Sequence, residues 1–493
     1  MSKAFTITCP VYGGAPRIES GKGGVSPKAD YDAARTDIEN EKHWLRADDL
    51  SARSLNTPSV RKILRNRARY EVGNNTYAAG LIRTLVNDTV GRGPRLRMLT
   101  PDTGLNRAVQ DLWREWSAAA DWPLTARVLA GVRYVAGECF GVYRESKKLE
   151  RHGLPPLDLR LIEPDQVADP SFRYVYKSNG DDGVIVDEDG EVVSYTILKA
   201  HPGDTFVGGA AYKADVVAAE NVLHWYQPDR PGQLRGVSPL TPALPIFAQL
   251  RRFTMATLTA AEIAAMLAGV MEWENGMAGP EQPSIDNWTT VELVRGTLLT
   301  LPPGAKASQF RPEHPTTNYE MFVNAKLREC GRMLCVPFGK MAGDHSRYNY
   351  SSGKLDDNQY WADRDIERQS LEAKVFNPFF YRWLDFARFY LPALAAYQGR
   401  YHQLRHVWHY DAKPTADAVK DATGDELNLT NGTDSPQAIC ERAGDTLEDI
   451  LDERAAAKAM YEERGLPLPP WMTGGVAPAR EPNAQPQEAA NVG

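Results

Sequence analysis

The chain is poor in the features that an exported, disulfide-stapled or phosphate-binding protein would carry. Its 493 residues hold five cysteines, at 9, 139, 330, 335 and 440, odd in number and widely scattered. That usage excludes a disulfide scaffold and fits a reduced, cytoplasmic life. Positive charge is not in surplus. Lys+Arg number 57 against 64 Asp+Glu, a formal net charge of -7, which excludes a general binder of nucleic acid held by many phosphate contacts. The opening residues, MSKAFTITCPVYGGAP, lack the continuous apolar stretch of a secretory signal. Without export, Asn-x-Ser/Thr triplets such as those at Asn349, Asn428 and Asn431 carry no glycosylation message. Long apolar runs are scarce too. Residues 253–270 carry one charge, Glu262, but are built from Thr and Ala rather than Leu and Ile, so they read as a packed helix with a membrane pore as the rival.

Catalytic signatures are equally thin. Gly21-Lys22 resembles the end of a phosphate loop, but Pro16 and Gly23 stand where it needs Gly and Ser or Thr. No G-x-S-x-G elbow and no H-E-x-x-H helix occur. Cys330 and Cys335 lie five apart on an expected helix, point apart, and have no second pair to complete a zinc site. His402, His406 and His409 would share a helical face, yet no carboxylate completes a ligand set. Asp344-His345-Ser346 sets acid, base and nucleophile side by side, whereas triads converge from distant segments. The run Asp187-Glu188-Asp189 lacks the remaining positions of a calcium loop and reads as a hairpin tip. The chain is therefore expected to be non-enzymatic, with no cofactor and no metal. A metal-dependent nuclease or hydrolase using the histidine-rich segment is the alternative.

What is present is a mixed, α+β pattern in ordinary proportions: 42% hydrophobic and 25% charged residues. Residues 1–30, rich in Gly, Pro, Ser and Lys, read as a flexible arm, and 31–90 as helical. Short strands are predicted over 139–143, 157–162, 184–186, 192–198 and 222–226, with Asp189-Gly190 turning a hairpin. A helix of roughly 28 residues, about 40 Å long, follows over 244–272. Its small side chains leave it too slender to bury itself, so it calls for partners such as copies of itself around a symmetry axis. Residues 273–317 form a Pro- and Gly-rich excursion with a strand pattern over 296–301. Helices are then expected over 318–334 and, kinked at Pro378, over 354–390. The loop between them, 337–353, with Lys354 just beyond it, ends in GDHSRYNYSSGK (343–354), whose polar, aromatic and modestly basic character suits transient contact with a nucleic-acid backbone and equally suits a solvated loop. Beyond 466 the Pro/Ala/Gln tail reads as disordered.

The most distinctive stretch is RPGQLRGVSPL, residues 230–240, a strand-to-helix connection. Gly232 and Gly236 permit turns, Pro231 and Pro239 stiffen the path, and Ser238 before Pro239 reads as a helix cap. Taken with NNTYAAG (74–80), VGRG (90–93), AGECF (136–140), LRLIEPD (159–165) and NYSS (349–352) in the same order, it resembles the lambda-type family of tailed-phage portal proteins. The similarity spans roughly residues 30–465. It departs near 408–414, where the family tends to show Trp, a glycine turn and Asp-Pro-Lys.

The resemblance implies a homo-oligomeric ring, usually of twelve subunits, at one vertex of the virion capsid, assembled in the host cytoplasm. It implies double-stranded DNA in the central channel, with the terminase large subunit, major capsid and scaffold proteins, and head-completion adaptors as partners, and no membrane. It divides the chain into a wing (31–243), a first stem helix (244–272), a clip (273–317), a second stem helix (318–336), a candidate tunnel loop (337–353), a long wing helix (354–390), a crown (391–466) and a tail (467–493). Lys340, His345, Arg347, Tyr348 and Lys354 are its candidate DNA-channel contacts. Arg230, Pro231, Gly232, Gln233, Arg235 and Gly236 form the signature corner between wing and stem.

Overall fold

The computed structural model describes residues 42–45, 47–170, 180–204, 213–266, 270–273, 305–308, 317–414, 417–469 and 472. The expected arm over 1–30, the strand over 296–301 and most of the 273–317 excursion and the tail lie outside them. The chain divides into two units, Met1–Ser51 and Ala52–Gly493. In the first, the described residues make a turn in which the Ala47 amide donates to the Trp44 carbonyl.

The second unit opens with α1 (Ala52–Leu55), α2 (Pro58–Asn74) and α3 (Thr76–Thr89). The pattern over 31–90 reads as helical, but the described residues up to 51 form turn and coil, Asn56-Thr57 parts α1 from α2, and Asn75 parts α2 from α3. Its backbone is extended, its amide closes α2 on the Glu71 carbonyl, and its side chain accepts from the Tyr77 and Ala78 amides. β1 (Arg95–Met98), α4 (Thr103–Ala120) and α5 (Trp122–Ala136) follow. Asp121, at φ 50°, ends one helix and starts the next, with Pro123 in the first turn where its missing N–H costs nothing.

The sheet block holds β2 (Glu138–Glu145), the short α6 (Lys147–Arg151), β3 (Leu157–Ile162), β4 (Gly180–Asp181), β5 (Val184–Val186), β6 (Val192–Leu198), β7 (Ala214–Ala218) and β8 (Val222–Tyr226). All five expected strands are there, the first lengthened at both ends. They form two antiparallel sheets, ordered β3-β2-β8 and β4-β5-β6-β7. The hairpin closes at Asp187–Glu191, with Gly190 at φ 86°.

α7 (Leu244–Met266) is shorter than the helix expected over 244–272, because Val270–Trp273 is a strand, β9, antiparallel to β10 (Ala305–Ser308). α8 (Thr317–Met333) matches its expectation, while the loop after it is partly helical: α9 covers Phe338–Ala342 and α10 begins at Tyr350. α10 runs to Leu371 and passes through a π-helical turn, Glu372–Phe376, into α11 (Asn377–Ala387). The irregularity expected at Pro378 thus lies one turn earlier, and the proline occupies the first turn of α11. β11 (His406–His409) pairs antiparallel with β1, so the expected histidine helix is instead a strand preceded by a short turn. Cross-strand hydrogen bonds from β1 outweigh the local helical pattern there. α12 (Ala418–Thr430), α13 (Pro436–Ala443) and α14 (Leu447–Glu463) complete the chain.

Among the described residues, two apolar cores result. The larger is dense in rings: Trp122 stacks on Phe379 at 4.1 Å, and Trp113 meets Trp383 edge-on at 5.1 Å. The smaller lies in the sheets, around Phe140, Ile162, Val184, Tyr195 and Ile197.

Candidate functional site

The signature corner begins where β8 ends. Arg230, Pro231 and Gly232 are exposed, and Gly232 at φ 77° has open space about it, so its glycine serves the backbone turn and not a close contact. Gln233 is buried and staples the turn. Its side-chain carbonyl accepts from the Asp229 amide at 3.0 Å, and its amide group donates to the Arg235 carbonyl at 2.9 Å.

Arg235 is wholly buried, and each of its N–H groups has an acceptor. Nε and Nη2 hold the Glu138 carboxylate at 2.7–3.0 Å, and the remaining hydrogens reach the Pro164, Val167 and Asp182 carbonyls. A planar fork with five donors suits such a site, which a lysine could not fill. Glu138, also wholly buried, accepts in addition from the Gly236 amide at 2.9 Å and bonds His224 Nε2 at 3.2 Å. Burial pushes its carboxyl up, but Arg235 and the His224 hydrogen bond prevail and hold it well below the usual range. Burial is the largest influence on His224 and lowers its pKa despite Glu138.

Sequence reasoning missed the partners of this pair. Arg61, Arg65 and Arg69 recur every four residues along one face of α2, a spacing visible in RKILRNRAR. Arg65 bridges Glu138 and Asp165, Arg61 bridges Asp181 and Asp182, and Arg69 pairs with Glu163 and Asp165. The corner thereby ties α2 and both sheets into one ionic network beside the connection that leads to α7.

Two glycines make the seam. A Cβ on Gly236 would sit 2.2 Å from the Gly137 carbonyl oxygen, and one on Gly137, at φ 91°, 2.2 Å from the Val237 carbonyl carbon. AGECF and RGVSPL therefore touch backbone to backbone. Ser238 is not the helix cap expected of it: its hydroxyl accepts from the Leu240 amide and its carbonyl from Thr241, closing a local turn, and Leu240 is the residue that precedes the 3-10 turn Thr241–Ala243 ahead of α7.

Downstream, the expected loop contacts are dispersed. Lys340 is half-buried on α9, paired with Asp88 at 3.2 Å and 4.6 Å above the Tyr360 ring. His345 and Tyr348 fold over Gly339, whose amide donates to the Tyr348 hydroxyl at 3.1 Å. Arg347 and Lys354 are more exposed and pair with Glu320 and Asp421. Asp344 accepts from the Ser346 backbone amide at 2.9 Å, forming a local turn.

His406 bonds the Leu404 carbonyl and Asn377 Oδ1, and its pKa is lowered by burial. It is half-buried and engaged by protein partners. Among the described residues, one acid–histidine group has metal-like proximity, Glu163, Asp165 and His201, and there the Arg69 guanidinium supplies the positive charge. No helix among the described residues is long and apolar enough to cross a membrane.

This architecture has relatives. The chain is 22% identical over 431 residues, 82% of each protein, to the probable portal protein of Halomonas phage phiHAP-1. Two solved structures also align. These are the neck of an empty gene transfer agent particle (16% identity, 77% of this chain and 93% of that one, TM-score 0.46) and the virion of the native particle (16%, 77% and 92%, TM-score 0.44). The model for the phage portal protein, lambda family, matches residues 41–368, a span that takes in the Arg235–Glu138 corner, both seam glycines and the loop ahead of α10. The chain belongs to the lambda family of phage portal proteins.

Proposed function

We propose that the chain forms a closed ring, twelve-membered as in its family, around a channel for double-stranded DNA at one capsid vertex. On this reading it is a structural conduit and not an enzyme. It nucleates capsid assembly, and docks the terminase large subunit during packaging and the head-completion proteins afterwards. The observation that carries the ring is α7. Its last residue in the main core is Leu250. From there to Glu262 no side chain is fully buried, and the Phe253 ring packs on Tyr319 and Phe322 of α8. Met255 and Leu258 stand 60% and 54% exposed among small residues. A helix about 35 Å long, built this way, gains its burial from neighbours. Electron microscopy of the purified protein is expected to show rings with a central hole. A persistent monomer or compact dimer in every condition would sink the reading.

A channel lined with cations would hold phosphates by releasing their counterions, so a passage through which DNA slides needs only a few basic contacts. Loop 337–353, with Lys340, His345, Arg347, Tyr348 and Lys354, is the proposed contact to the passing duplex. Lys340 is committed to Asp88 and its replacement would disturb packing, so Arg347 and Lys354 are the informative probes. Arg347→Gln with Lys354→Gln is expected to leave rings intact and cut packaged DNA per particle several-fold. Normal packaging in that variant removes the loop's role.

A further inference from the structure

The last three helices are attached to the body differently from everything before them. α12, α13 and α14 bury no side chain. Neither apolar core includes a residue beyond Tyr410, and between 418 and 463 only Gly444 is buried. A helix of 17 residues draws most of its stability from packing one face, so something other than apolar burial must seat this segment.

The seat is ionic. Arg95 pairs with Asp445 at 3.0 Å, and Arg97 with Glu441 at 2.5 Å and Glu448 at 3.0 Å. Arg107 pairs with Asp452, and Lys354 with Asp421 at 3.4 Å. In each of these pairs the cation comes from the body, on β1, α4 or α10, and the anion from the segment. The alternation of β1 sets Arg95 and Arg97 on one face. Residues 418–463 hold twelve acidic against four basic side chains, so this stretch accounts for the chain's whole net negative charge.

Beneath the ion pairs the fit is loose. A cavity of about 750 Å³ separates the segment from the body, lined by Arg368, Tyr410, Lys413, Asp421, Asp425 and Arg442 among others. The close approach is at Gly444, φ 86°, where a Cβ would lie 3.1 Å from the Tyr410 carbonyl oxygen and 3.2 Å from the Ala412 amide. A single close backbone contact, an open crevice and a rim of largely exposed ion pairs describe a separable body held by a latch.

We propose that residues 418–463 form a separable body latched to the rest of the chain by Arg95, Arg97, Arg107 and Lys354, and released when those pairs are screened. The sign of the salt response separates this from ordinary packing. Exposed ion pairs weaken with added salt, whereas apolar contacts do not.

Hydrogen exchange on the full-length chain at 50 mM and 1 M sodium chloride tests it. Amides of 418–463 should exchange about tenfold faster at high salt, as expected for several weak pairs lost together. Amides of α5 and α11 should stay unchanged. Arg95→Gln with Arg97→Gln and Arg107→Gln should show the fast rate already at low salt, and lysine at the same three positions should restore the salt dependence. Equal or slower exchange at 1 M in the unaltered protein overturns the latch, and so does full protection of the glutamine variant at low salt. Should that variant fail to fold, the salt arm on the unaltered chain decides alone.

Discussion

Arg235→Leu is expected to destabilise the protein by about 3–5 kcal/mol, the range for removing one partner of a buried ion pair. The loss has two parts. Glu138 is left wholly buried without its bidentate partner, and three backbone carbonyls lose their donor. Arg65, at 3.4 Å from Glu138, compensates only weakly because Asp165 holds it at 3.0 Å. Arg235→Lys restores a point charge but not the fork, so it should fall between the two. Urea unfolding measures the effect, together with hydrogen exchange of β2 and β8, which meet beside the pair. A midpoint within error of the unaltered protein would show that the network is not what joins the sheets to α2.

The same pair sets a pH response. Glu138 has a folded pKa well below its ordinary value, so its contribution is complete above that ordinary value and is lost as pH falls through the folded one. His224 also has a lowered folded pKa. The unfolded chain therefore takes up its proton first, and stability falls as pH drops below His224's ordinary 6.5. Both groups act in one direction. The unaltered protein should lose stability steadily from about pH 6.5 downward, and Arg235→Leu should flatten the acid part of that profile.

Met255→Asp with Leu258→Asp should abolish the ring while leaving the subunit folded. Neither side chain belongs to an apolar core, so the far-ultraviolet spectrum and unfolding midpoint should change little. In a ring, each subunit would bury two unpaired carboxylates at a contact, at a cost of several kcal/mol. At roughly 1.4 kcal/mol per tenfold in affinity, assembly should weaken by a hundredfold or more. Sedimentation and microscopy at matched concentration report the outcome. Rings of ordinary yield would mean that α7 is not the contact between copies.

Much of the fold was legible because its signals are local. Strand periods of two survive in any context, and four of the five expected strands have the bounds that their patterns predict. The boundaries that moved are those settled by distant partners. Residues 406–409 form a strand because β1 offers them a ladder, and residues 270–273 leave the helical pattern because β10 pairs with them. Asn75 was readable in principle, since a residue that caps a helix also ends the one before it.

The sites divide in the same way. The wording of RPGQLRGVSPL marks the corner, but the sequence does not distinguish the exposed Arg230 from the buried Arg235. Burial depends on Glu138, nearly a hundred residues away, and on the α2 arginines that reach across to it. Lys340 read as a loop cation, and only the packed chain commits it to Asp88.

By itself, then, the sequence determined family, composition of elements and the absence of familiar catalytic motifs, all properties carried by residues close together along the chain. Tertiary structure alone decided which charges are buried and which are displayed. A charge's role is set by the dielectric around it and the partner opposite, and both are brought there by folding.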